Sequence, residues 1–218
     1  MRTYSTVLFD LDGTLIDSIG LIVDSFHHTM DAFGLPRQRD EAWLAGIGTP
    51  LRGVLSSWAR DEAMLDGLLA TYRAYNIEHH DARVRAYPGA REVVLELAAS
   101  GVRLGVVTSK NRQGTQRGLQ AAGLSGVIEV LVCAEDVTRP KPHREPVDRA
   151  VSLLSADREA TLFVGDSLHD LHAGRAAEVH TGAALWGPFA RADLERGQPS
   201  HWLASPGEVL ALALGRGR

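Results

Sequence analysis

Four places along the 218-residue chain combine reactive side chains with a local pattern that could bring them together. The first is Phe9-Asp10-Leu11-Asp12-Gly13-Thr14, where two carboxylates follow the apolar run Val7-Leu8-Phe9. Side chains at i and i+2 of a strand share a face, although the turn at Gly13 can redirect the second. Such neighbours repel, and both stay ionised comfortably when a cation lies between them. One carboxylate can then attack an electrophile such as phosphorus while its neighbour protonates the departing oxygen. An aspartate pair opening a glycine turn is also an ordinary solvated loop, so this pattern alone leaves both readings open.

The second place is Thr108-Ser109-Lys110-Asn111, after another apolar run and before a helical pattern. A hydroxyl and backbone N–H groups there suit an anion, helped by the helix dipole, but a hydroxyl before a helix is commonly just a cap. The third is Arg139-Pro140-Lys141-Pro142, in which two prolines stiffen the chain around a lysine able to neutralise phosphate as a point charge. The fourth is Gly165-Asp166-Ser167-Leu168-His169-Asp170. Asp166 directly follows an apolar run and reads as a metal ligand. Asp170 reads as a support for the site or as the N3 partner of a capping box with Ser167.

The elements that position these groups follow from hydrophobic patterning. Short β-branched apolar runs predict buried strands at 5–10, 103–108, 129–133 and 161–165, with a weaker fifth at 181–185. Helical patterns fall at 89–100, 113–122, 144–154 and 168–177, and a closing helix falls at 206–214 before a frayed 215–218 tail. Alternating strands and helices imply an α/β fold with a parallel sheet covered on both faces. All four chemical positions then lie at or just beyond C-terminal strand ends, where such sheets bind ligands.

Between the first and second strands the chain is far longer than one crossover needs. Ile19, Ile22, Val23, Phe26, Met30 and Phe33 recur at helical spacing behind a cap at Asp17 or Ser18. A second helix spans 61–79, and shorter ones fill 39–45 and 51–58 around the turn Gly46-Ile47-Gly48-Thr49-Pro50. Residues 16–87 therefore read as an inserted helical bundle, placed to cap a core formed by 1–15 and 88–218.

Bulk properties bound the function. A net charge of -4 with no basic patch argues against nucleic acid, and no apolar run is long enough for a membrane span. The single cysteine, Cys133, excludes an internal disulfide and fits a reducing compartment. With no signal-peptide pattern at its start, the chain is expected to be a cytoplasmic protein. Oligomeric state is not readable.

Asp10-Leu11-Asp12-Gly13-Thr14, the Thr108 strand end, Lys141 and Gly165-Asp166-x-x-x-Asp170 together resemble the four motifs of the haloacid dehalogenase superfamily. The resemblance runs essentially end to end. It implies a Rossmann-like three-layer α/β/α parallel sheet with an inserted helical-bundle cap. It also implies a Mg²⁺-dependent phosphohydrolase in which Asp10 forms an aspartyl-phosphate and Asp12 acts as general acid and then base. By the same resemblance Mg²⁺ is held by Asp10, the Asp12 carbonyl and Asp166, while Thr108, the Ser109 amide and Lys141 hold phosphoryl oxygens. The insert resembles the cap of the phosphoglycolate phosphatase group. Within it, Ser25-Phe26-His27-His28-Thr29, Gly46-Ile47-Gly48-Thr49-Pro50-Leu51 and Tyr72-Arg73-x-x-Asn76-x-x-His79-His80-Asp81 are similar to bacterial pyrophosphatases.

Two departures stand out: His143-Arg144-Glu145 replaces an expected proline region, and Glu178 replaces an expected glycine. The implied substrate is a small phosphorylated molecule, inorganic pyrophosphate first, with phosphoglycolate or another monoester as the alternative. A phosphomutase, a receiver-type phospho-acceptor domain and a silent binding protein explain fewer of the motifs. Arg52, His79 and His80 are candidate cap contacts to an anionic substrate, whereas Trp43, Trp58, Tyr72 and Tyr75 read as cap packing.

Overall fold

The computed structural model describes residues 3–216, so Gly217 and Arg218 of the expected frayed tail lie outside the described residues. β1 (Thr6–Phe9) is buried at every position because its side chains feed two apolar layers in alternation. Val7 and Phe9 join one layer, and Leu8 joins the other. Beyond β1 the chain forms β2 (Ile16–Asp17), which pairs antiparallel with β3 (Arg85–Ala86). This ribbon forms the stem of the insert; two residues per strand are too few to leave a periodic signal in the sequence.

The main sheet continues with β4 (Arg103–Val107), β5 (Val130–Val132), β6 (Thr161–Gly165), β7 (His180–Ala184) and β8 (His201–Leu203). Its order is β5-β4-β1-β6-β7-β8 and every pairing is parallel. The expected α/β parallel sheet is therefore present, with a sixth strand the sequence did not reveal. β8 is only His-Trp-Leu, without an apolar run to mark it. Leu104, Val106, Leu162 and Val164 extend the first apolar layer, while Val107 and Phe163 extend the second. Each fully buried Leu, Val or Phe contributes about 1.5–3 kcal/mol.

In the insert, α1 (Ile19–Ala32), α2 (Asp40–Leu44), α3 (Leu51–Ser56) and α4 (Glu62–Arg83) enclose their own apolar cluster. At its centre the Phe26 and Trp43 rings stack with centroids 4.5 Å apart. Asp61 caps α4 by accepting from the Met64 amide at 2.7 Å. α4 runs one turn beyond the expected 61–79. Arg83 in that last turn complements the helix dipole and also pairs with Asp24 of α1 at 2.7 Å.

The helices covering the sheet are α5 (Ala90–Ala99), α6 (Arg112–Ala121), α7 (Glu145–Leu153) and α8 (Leu168–Ala176). A short α9 (Arg191–Leu194) and α10 (Pro206–Ala213) complete the fold. Residues from α5, α6 and α10 pack in the first layer, and residues from α7 and α8 in the second, which gives three layers. Among the described residues no helix is long and apolar enough to cross a membrane.

Glu178 shows what its departure from glycine costs. It sits just past α8 at φ +61°, the left-handed conformation that helix ends reserve for glycine. Its carboxylate accepts from Arg144 Nη1 at 3.2 Å, but this pair is exposed and worth little. Glu178→Gly is therefore expected to raise stability by about 0.5–1 kcal/mol, read as a higher midpoint in urea unfolding. An unchanged or lower midpoint would show that the Arg144 pair outweighs the strain.

Candidate active site

Pairing of β1 with β4 on one side and β6 on the other gathers the chemistry at one sheet edge. Phe9 is level with Val164 of β6, and the Asp10 amide donates to the Val164 carbonyl at 2.8 Å. Asp10 is thereby held at the same edge as Asp166, which lies two residues beyond Val164. Both are buried, with exposures of 4% and 1%.

Lys141 is buried with them. Its Nζ donates to Asp10 Oδ1 at 2.8 Å, Asp170 Oδ1 at 2.6 Å and the Val107 carbonyl at 3.2 Å. Asp170 is more than a helix cap. It completes the expected capping box with Ser167, whose hydroxyl donates to Asp170 Oδ2 at 2.6 Å, and it is also a direct partner of Lys141. Oxygens of Asp10, Asp166 and Asp170 all lie within 4.8 Å of one another. The Asp12 side chain is not one of these three. Ser18 Oγ donates to its Oδ1 at 2.6 Å, and Lys110 Nζ donates to the same atom at 2.8 Å. Ser18 occupies the N-cap position of α1 but spends its hydroxyl on Asp12 rather than on the helix.

One ammonium faces three buried carboxylates, so negative charge is in excess. Two carboxylates about 5 Å apart repel by about 3 kcal/mol at an effective dielectric of about 20. Burial, assisted by Asp170 and Asp12 and opposed by Lys141, pushes Asp10 up to about 7. Burial, then Asp170 and Asp10, raises Asp166 well above the carboxylate range. Burial alone would lower the Lys141 pKa; the charges of Asp10 and Asp170 and its hydrogen bonds to them reverse that and raise it.

The residues present fit a divalent cation. Asp166 Oδ1 accepts from Thr14 Oγ1 at 2.7 Å, but its buried Oδ2 has no hydrogen-bond partner. A buried carboxylate oxygen without a donor is costly, and a hard cation surrounded by oxygens would satisfy it. The backbone of two glycines packs closely against the Asp166 side chain and holds it in place. At Gly13, φ +88°, a Cβ would sit 2.5 Å from Asp166 Oδ2, and at Gly187 it would sit 2.4 Å from Asp166 Cβ. Trp186 fixes the same loop by donating from Nε1 to the Thr14 carbonyl at 2.9 Å.

Between this edge and the insert lies a cavity of about 550 Å³. Asp10, Asp12, Thr108 and Ser109 line its floor, and Arg52, Tyr72, Arg73 and Asn76 line its wall. Thr108 is buried at the end of β4 and accepts from the Lys110 amide at 3.1 Å. It does not cap α6. That role belongs to Asn111, whose side chain accepts from the Gly114 amide at 2.9 Å. The Ser109 hydroxyl donates to the Gly48 carbonyl, tying the insert to the core.

The candidate contacts from the insert divide. Arg52 lines the cavity, although its guanidinium is paired with Glu62 and with Asp66, the latter at 3.2 Å. Neither His79 nor His80 lines it. His79 stacks on Tyr75 with centroids 4.2 Å apart and bonds the Tyr75 carbonyl at 2.9 Å. His80 is buried with Nδ1 3.0 Å from Asp81 Oδ1, and burial lowers its pKa. Tyr72 and Trp43 pack in the insert as expected, but Tyr72 also faces the cavity. Arg144, in the segment that departs from the expected proline region, is taken up by Asp148 at 2.6 Å and by Glu178. Sequence reasoning missed Lys110, Arg73 and Arg117 as lining residues. Lys110 carried a signal in its place two residues beyond the expected strand end, and Arg73 carried one in the Tyr72-Arg73-x-x-Asn76 pattern of the resemblance.

Comparison with known proteins gives a consistent set of relatives. The sequence model of a family described as haloacid dehalogenase-like hydrolase matches residues 7–184. The chain is 38% identical over 208 residues to Pyrophosphatase PpaX of Anoxybacillus flavithermus, covering 95% of this chain and 96% of that protein. It is equally similar to Pyrophosphatase PpaX of Bacillus cereus, at 38% over 208 residues and 95% of each chain. In three dimensions it resembles a predicted phosphoglycolate phosphatase from Haemophilus somnus, with a TM-score of 0.87. That pair is 23% identical and covers 97% and 99% of the two chains.

Proposed function

The chain belongs to the haloacid dehalogenase-like hydrolase family, and from that premise we propose that it is a Mg²⁺-dependent phosphohydrolase with Asp10 as nucleophile. The observation that carries this reading is the partnerless buried Oδ2 of Asp166 beside Asp10 and Asp170. Asp10 and Asp166, with the Asp12 carbonyl, would hold the cation, and Asp170 would hold Lys141 behind them. Bound there, Mg²⁺ would cancel the carboxylate charge and clamp a phosphate oxygen.

The chain's own groups perform the rest. Lys141, Thr108 and the Ser109 amide orient the phosphoryl group in line with Asp10. An Asp10 oxygen bonds to phosphorus as the bond to the leaving oxygen breaks, and Asp12 gives that oxygen its proton. Asp12, now ionised, takes a proton from water, which attacks the phosphorus of the aspartyl-phosphate and regenerates Asp10 with release of phosphate. Residues 16–87 act as a cap over the core of residues 1–15 and 88–218, and the enzyme works in the cytoplasm on a small phosphorylated molecule.

Inorganic pyrophosphate is the first-ranked substrate, supported by the name carried by relatives 38% identical over nearly the whole chain. Phosphoglycolate or another small monoester is the second reading. Phosphate release is expected with Mg²⁺, to be lost in excess EDTA and restored by added Mg²⁺; full activity in EDTA excludes the metal role. A panel comparing kcat/KM for pyrophosphate, phosphoglycolate and sugar phosphates decides the substrate, and a pyrophosphate value well below the esters overturns that ranking.

A further inference from the structure

The cavity wall carries four cations: Arg52, Arg73, Lys110 and Arg117. Three of them are already answered by carboxylates. Arg52 pairs with Glu62 and Asp66, Lys110 with Asp12 at 2.8 Å, and Arg117 with both oxygens of Asp81 at 2.8 and 2.9 Å. Among the described residues, Arg73 has no carboxylate or other side-chain partner for its guanidinium. It projects from α4 one turn before Asn76 and Ile77, so a single helix face presents all three to the cavity.

We propose that Arg73 is a specificity-determining residue that binds a second anionic group on the leaving portion of the substrate. On the proposed mechanism the phosphoryl group being transferred is served at the floor by Thr108 and the Ser109 amide, with Lys141 buried beside Asp10, which leaves no need for a guanidinium on the opposite wall. A leaving group that is itself a phosphate or a carboxylate brings its charge toward that wall. A guanidinium can meet it with two parallel N–H donors. Ile22, Phe26, Val54 and Ile77 line the same cavity, and Arg73 stands exposed at its water-facing side, free to turn toward a bound anion. The selected class is therefore phosphate compounds with an anionic leaving group, over those with a neutral one.

This inference rests on the phosphohydrolase reading but not on pyrophosphate as substrate. The test compares wild type, Arg73→Ala and Arg73→Lys by kcat/KM for pyrophosphate, phosphoglycolate and p-nitrophenyl phosphate, the last having an uncharged aryl leaving portion. In Arg73→Ala the ratio of either anionic substrate to p-nitrophenyl phosphate is expected to fall about 10- to 100-fold, with partial recovery in Arg73→Lys. A fall with pyrophosphate alone assigns the second group as phosphate, and a fall with phosphoglycolate alone assigns it as carboxylate. Unchanged ratios overturn the proposal, whether or not the absolute rates drop.

A binding measurement separates failure of this inference from failure of the parent reading, because it needs no turnover. Calorimetry compares methylenediphosphonate and phosphonoacetate, one for each kind of second group, with methylphosphonate in the presence of Mg²⁺. Preferential weakening of either two-charge ligand in Arg73→Ala supports the role, even in an enzyme that hydrolyses none of the panel. Equal weakening of all three, or of none, overturns it.

Discussion

Replacing Asp10 by asparagine is expected to abolish steady-state phosphate release, by a factor on the order of 10⁴ or more, while leaving the fold intact. Asparagine matches the aspartate in shape, and its carbonyl oxygen can still accept from Lys141, so the buried hydrogen bond at 2.8 Å has a replacement. What it lacks is the charge and the nucleophilic oxygen. Removing one of three crowded carboxylates also relieves repulsion, and Lys141 keeps Asp170 as its ionic partner at 2.6 Å. The stability change should therefore stay within about 1 kcal/mol, far below the cost of stranding a buried charge. A large loss of both activity and stability would point to a structural role for Asp10. Retained turnover in a folded variant would remove it from the chemistry.

Lys141→Met is expected to have the largest effect on stability. The substitution keeps most of the side-chain volume but leaves Asp10, Asp166 and Asp170 buried with no protein cation in direct contact. Breaking one side of a buried ionic network costs about 3–5 kcal/mol. At this chain length that corresponds to a fall in Tm of roughly 10 °C. Added Mg²⁺ should recover more stability in the variant than in the wild type, because the cation then supplies the missing positive charge. Thermal unfolding with and without Mg²⁺ reads both effects. A loss under about 1 kcal/mol in the absence of metal would mean that the carboxylates neutralise themselves by protonation and that Lys141 is not what holds them. Catalysis should fall as well, since the ammonium proposed to hold the phosphoryl oxygens is gone.

The parts of this site that were legible in the sequence are those fixed by strand geometry. Apolar runs ending in Asp10, Thr108 and Asp166 identify strand ends, and a parallel sheet puts all such ends on one edge. The pairing of β1 with both β4 and β6 then makes neighbours of residues about a hundred and more positions apart. The capping box at Ser167 and Asp170 was equally readable, because a helix start is a local affair.

What was not legible depends on how separate elements dock. Ser18 looked like a helix cap, yet its hydroxyl is drawn to Asp12 because the chain folds back on the active-site loop. His79 and His80 have the right chemistry for an anion, but the rotation of α4 in its packing turns them to Tyr75 and Asp81 instead. Arg73 sits on the face that the same rotation delivers to the cavity; its place in the Tyr72-Arg73-x-x-Asn76 pattern marked the segment but not which of its side chains faces the cavity. β2, β3 and β8 escaped for a simpler reason, since two or three residues carry too little periodicity to read.

The nucleophilic role of Asp10 is tested most directly by trapping the acyl phosphate during turnover. Enzyme, Mg²⁺ and pyrophosphate are mixed, reduced with borohydride and digested, and the peptide spanning Asp10 is sequenced by mass spectrometry. Attack by Asp10 predicts conversion of residue 10 to homoserine, dependent on substrate and on Mg²⁺ and absent in Asp10→Asn. Turnover that proceeds with residue 10 unmodified, or with the label on another side chain, would contradict it.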